Sequence, residues 1–152
     1  MNSRILILLF LVIFAPSVSR ASDDITFGRS DLTIVTTTGA KYHFALEVAQ
    51  TPEQLERGLM FRDSMPDDAG MLFLLGDEEI ASFWMRNTFL PLDMIFIAKD
   101  GRITNIHRNA APGSTAIISS TALVTAVLEV NGGVTQRLGI RAGDRILHPS
   151  FP

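Results

Sequence analysis

A chain of 152 residues has room for one domain of ordinary size. It carries 13 basic and 16 acidic side chains, a net charge of −3, and no cysteine. That excludes a disulfide scaffold, which a domain of this length does not need in order to bury a core. The acidic balance, with no basic stripe to reverse it, disfavours a phosphate-backbone partner, so no nucleic acid is expected.

The first 21 residues have the order of a secretory signal. Arg4 supplies a positive charge, Ile5 to Phe14 are ten uninterrupted apolar residues, Pro16 breaks the run, and Ser19-Arg20-Ala21 places small residues at a cleavage site. A membrane anchor is the alternative, but about 20 apolar residues are needed to cross roughly 30 Å of hydrocarbon. The expectation is a periplasmic or secreted protein, cut after Ala21, with no stable membrane span once the signal is gone. The remaining chain, 22–152, keeps 11 basic residues against 16 acidic ones, a net charge of −5.

Asp31 to Thr38 is rich in β-branched residues, and Lys41 to Ala49 alternates, with Tyr42, Phe44, Leu46 and Val48 on one face. The two segments predict a hairpin about Gly39. Thr51-Pro52-Glu53-Gln54 then predicts a short helix: a Thr cap, proline at the first helical position and Gln at the capping-box position. Gly70 to Leu75 and Ala81 to Met85 are apolar and predict strands around an acidic turn, Gly76 to Glu79. Leu90 to Ala98 is apolar at nearly every position and predicts a central strand covered on both faces. Asp100-Gly101 predicts a tight hairpin into 102–108. Pro112-Gly113 marks a loop, Ala122 to Val130 a further strand, Asn131-Gly132-Gly133 the start of a second short helix ended by Gly139, and Ile146-Leu147 a last strand. Short strands at this spacing, with one or two short helices, predict a mainly β domain, a compact sandwich or small barrel.

Familiar catalytic and metal patterns are missing. His43, His107 and His148 are far apart and have no zinc-like spacing, so no metal site is expected from them. Neither a nucleophile elbow nor a phosphate-binding glycine loop occurs, and no cofactor is expected. What stands out is charge among apolar neighbours. Asp93 lies in Phe89-Leu-Pro-Leu-Asp-Met-Ile-Phe-Ile97, where a carboxylate must be paired, hydrogen-bonded or protonated. Arg57, Arg62, Arg86, Asn87, Thr88 and Glu129 are also polar groups within or beside apolar segments. They could be structural, with Asn87, Thr88 and Asp93 bonding turn backbone and an arginine neutralising Asp93. They could equally line a ligand pocket or include a carboxyl with a raised pKa. Met60, Met71, Met85 and Met94 are soft donors suited to copper, but their spacing is that of buried strands rather than a Met-x-x-Met cluster, which favours core filling.

One resemblance emerges from the motifs taken in order. Thr51-Pro-Glu-Gln-Leu-Glu-Arg-Gly-Leu-Met-Phe-Arg62, Gly70-Met-Leu-Phe73, Phe83-Trp-Met-Arg-Asn-Thr88, Pro91-Leu-Asp93, Gly101, Leu128-Glu129-Val-Asn-Gly132 and Gly143-Asp144 closely resemble the prokaryotic family called domain of unknown function 192. The resemblance runs from about Leu32 to Leu147. It implies a compact β domain with small helices and no particular activity, and it adds Trp84 to the positions of interest: Arg57, Arg62, Trp84, Arg86, Asn87, Thr88, Asp93 and Glu129.

Three functions fit these observations. The first is a non-catalytic cell-envelope binding module, with a pocket near Arg86 to Asp93 for a small polar or sugar-like ligand or for an envelope protein. The others are an enzyme using Asp93 or Glu129 as acid or base, and a copper carrier built on methionine. The binding module accounts for the residues best, because no acid/base pair has the local context of an active site.

Overall fold

The computed structural model describes residues 25–152, so the expected signal segment and its cleavage site lie outside the described residues. Strand β1 (Gly28–Val35) turns at Gly39 into β2 (Lys41–Ala49), the expected antiparallel hairpin. Helix α1 (Pro52–Arg57) follows. Thr51 caps it: its hydroxyl accepts from the Gln54 amide while the Gln54 side chain accepts from the Thr51 amide. The helix is a crossover, and β3 (Ala69–Glu79) returns parallel to β2. The remaining elements are β4 (Ser82–Phe83), β5 (Leu92–Ile97), β6 (Ile103–Ala110), β7 (Ile118–Ser119), β8 (Val124–Asn131), α2 (Val134–Arg137) and β9 (Arg145–Leu147).

Seven strands form one sheet in the order β6-β5-β8-β3-β2-β1-β9, and β4 pairs with β7 in a separate ribbon. The sheet curls until its two ends approach. Arg102 bridges Arg145, and the Ile103 amide donates to the Asp144 carbonyl at 2.9 Å. The result is a half-barrel, the small-barrel form of the expected β fold. Its concave side holds one core, with Leu32, Ile34, Phe44, Leu72, Ile95, Leu128 and Ile146, closed by Phe151. The convex side of the central strands holds a second core with Met71, Phe73, Met94, Phe96 and Val127, roofed by Leu59, Met85 and Leu90 from the connections. Strand β5 is buried at all six positions because it separates the two cores.

Two local expectations are corrected. The acidic segment 76–79 is not a turn: β3 runs on to Glu79, with a register shift against β8 after Leu74, and Glu79 pairs again with Val124. Ala81 to Met85 is not a sheet strand either; only Ser82 and Phe83 pair, and with β7 rather than the main sheet.

Candidate functional site

Two buried carboxylates sit one strand and one register step apart, on opposite faces. Asp93 pairs with Val130 and points into the concave core; Glu129 pairs with Met94 on one side and Met71 on the other and points to the convex face. Asp93 is saturated. The backbone amides of Asn109, Gly133 and Thr135 donate to it at 2.8, 3.0 and 2.9 Å, and the Thr135 hydroxyl at 2.6 Å. The expected arginine is not its partner. Arg108 donates instead to the Thr135 hydroxyl and the Ile140 carbonyl. A carboxylate held by backbone amides does not require a cation.

Glu129 has no such support. It is 4 % exposed, flanked by Met71 and Met94, which are fully buried, and among the described residues nothing donates to its carboxyl. Burial pushes its pKa up to about 8, so it is an uncharged acid at neutral pH. The strand beneath it permits close approach only because position 70 is glycine: a Cβ there would lie 2.6 Å from the Glu129 carbonyl oxygen.

Glu129 opens onto a cavity of about 380 Å³ on the convex side. One wall is α1 and the turn after it, from Leu55 through Arg57 to Met60. The other is the end of β3, the β4 ribbon and the segment to Thr88, contributing Glu79, Ser82, Phe83 and Trp84. Phe83 stands edge-on to Phe73, with centroids 5.2 Å apart. Trp84 is 44 % exposed, with the Arg86 guanidinium 5.7 Å from the ring centroid. The Arg57 guanidinium lies 4.8 Å over Phe61, which in turn meets Phe89 edge-on at 6.1 Å. Among the described residues the ion pairs are Arg62–Glu47, Arg102–Asp100 and Arg137–Asp67, so Arg57 and Arg86 have no carboxylate partner.

The rim is stitched together by backbone. The Phe61 amide donates to the Asn87 carbonyl at 2.9 Å, and both residues have positive φ, 64° and 56°. Asn tolerates that conformation; for Phe it is strained, which neighbours must hold in place. The 84–88 segment is fixed from the other side: the Met85 amide donates to Ser114 and the Gly113 amide to Thr88.

Of the positions singled out in the sequence, Arg57, Trp84, Thr88 and Glu129 therefore line one cavity, while Arg86 and Asn87 sit at its rim. Arg62 faces a neighbouring groove, paired with Glu47, and Asp93 is on the far face of the sheet. Glu79, Ser82 and Phe83 line the cavity unforeseen. Phe83 adjoins the one tryptophan, a signal that could have found it; Glu79 was hidden in an apparent turn. The methionines are mainly core: Met71, Met85 and Met94 are fully buried.

The comparisons with known proteins agree with this architecture. A solved chain from Sinorhizobium meliloti 1021, described as a "putative transcription regulator", is 43 % identical, with a TM-score of 0.82 over 84 % of this chain and 99 % of its own. A protein of unknown function from Novosphingobium aromaticivorans DSM 12444 is 40 % identical, with a TM-score of 0.77 over 88 % of this chain and 93 % of its own. No curated protein matches. The profile of domain of unknown function 192, described as an uncharacterised ACR, matches residues 33–148, and the chain belongs to that family.

Proposed function

We propose that this protein is an exported, non-catalytic binding module whose small polar ligand occupies the cavity above Glu129. One observation carries the reading: Glu129, a residue 4 % exposed whose carboxyl receives no hydrogen bond among the described residues, opens into a cavity with an aromatic wall. A carboxyl largely withdrawn from water, with its free edge on a cavity, is placed to take hydrogen bonds from a ligand. The volume lies in the usual range of roughly 300–1,000 Å³ for small-molecule sites. The pattern Arg4, Ile5 to Phe14 and Ala21 supports export to the envelope. A thermal-shift screen of small envelope metabolites is the test. At least one should raise Tm, and Arg57→Gln or Trp84→Phe should remove the shift while the fold persists. A screen without a hit counts against the module.

The Glu129 carboxyl, held near 8, also supports a second reading, general-acid catalysis. The second titrating group for that chemistry would have to be Glu79 or Glu56, because Asp93 is on the other face of the sheet. Loss of turnover of a bound compound in Glu129→Gln, with binding intact, would favour it over the module. A regulator of transcription, as the Sinorhizobium relative is described, finds less support in a chain with net charge −3.

A further inference from the structure

We infer that the ligand of this cavity is an uncharged saccharide, held with a ring face against the Phe83–Trp84 wall and a hydroxyl against Glu129; this deepens, and rests on, the binding-module reading. Charge is the first discriminator. The cavity and its rim carry Arg57 and Arg86 against Glu56 and Glu79, two of each sign. With Glu129 uncharged, no net field remains to select an anion or a cation. An ionic ligand would be repelled by one pair as much as it was attracted by the other.

Hydrogen-bond chemistry is the second. Sugar hydroxyls donate and accept at the same atom, so they match groups that do both. A protonated carboxyl does both, and so do the hydroxyls of Ser82 and Thr88. The Ser82 hydroxyl shares a 3.1 Å bond with Ser119, and the Thr88 hydroxyl makes only a long 3.4 Å bond to the Arg86 carbonyl. Each therefore keeps capacity for a ligand. At the outer end, Glu79 and Arg57 add a planar acceptor pair and a planar donor fork.

Shape is the third. Trp84 remains 44 % exposed although Arg86 covers part of it, and Phe83 is half-buried beside it. An aromatic wall next to polar groups suits a compound with an apolar C–H face and a hydroxylated edge, as a pyranose ring has. The wall does not suit a purely polar metabolite.

Trp84 is the only tryptophan in the chain, so its emission reports this site. The full exported chain is titrated with cellobiose, maltose and N,N′-diacetylchitobiose, and in parallel with citrate and spermidine. A saturable change in Trp84 emission with at least one disaccharide is expected. Glu129→Gln, which keeps a neutral donor and acceptor, should bind within about threefold of the wild type. Glu129→Leu, with its fold confirmed by far-UV circular dichroism, should bind at least tenfold more weakly. Leucine binding as well as glutamate would overturn the role given to Glu129 and with it the inference. A response to citrate or spermidine alone overturns the saccharide and leaves the binding module standing. No response to any of the five overturns both.

Discussion

Asp93 and Glu129 meet the same cost in opposite ways. Both lie on central strands, nearly sealed from water, within one residue step of each other across the β5–β8 pair. Around Asp93 the chain converges: the end of β6, the Gly133 turn and the first residues of α2 all aim donors at one carboxyl. Asp93 is a clamp joining three segments, and it has no capacity left for a ligand. Around Glu129 the neighbours are two methionines and an open cavity. Burial alone does not distinguish the two; the donors that Glu129 lacks among the described residues are what separate them.

Removing the clamp should have the largest effect. Asp93→Ala strands three amides and a hydroxyl and should lower unfolding free energy by roughly 3–5 kcal/mol, measured by urea denaturation. A loss below 1 kcal/mol would erase the contrast. Glu129→Gln should act in the other direction, by an amount that grows as pH rises above about 4.3. An unfolded glutamate ionises near about 4.3, whereas the folded one holds its proton to about 8. Between those values the native state binds one proton more than the unfolded state, so this group makes stability fall as pH rises, by at most about 1.4 kcal/mol per unit. Below pH 4 the variant should match the wild type, and by pH 9 its advantage should have grown to as much as about 5 kcal/mol. Equal melting profiles across that range would show Glu129 ionising normally. Thr135→Val deletes one donor to Asp93 and the acceptor of Arg108, and should cost about 1–2 kcal/mol. Smallest of all, Arg57→Gln removes an exposed cation with no carboxylate partner and should change stability by less than about 0.5 kcal/mol while weakening ligand binding.

Turn chemistry made much of the fold legible in the residues. Gly39, the Thr51 capping box and Asp100-Gly101 each act locally, and each predicted element is present. The site was only half legible. In β5 and β8 both faces are buried, so the period-2 alternation that assigns a side chain to one face or the other disappears. Asp93 and Glu129 then look alike in sequence although a sheet separates them. Arg62 misled for another reason: it lies in the same motif as Arg57, but its acid partner Glu47 is fifteen residues earlier, on β2. Glu79 was missed because Gly76-Asp77-Glu78 has turn composition, and only the register shift against β8 shows that the strand continues.

Strand β9 is three residues long, yet it pairs with β1, some 110 positions earlier in the chain, while its neighbours 143–146 bond Gly101 and Ile103 at the start of β6. Those few residues are a latch across both open edges. Until they pair, the first strand has one side unmatched and the concave core lacks its Phe151 stopper. Such distant pairing slows folding, so the latch should close only after the local hairpins have formed.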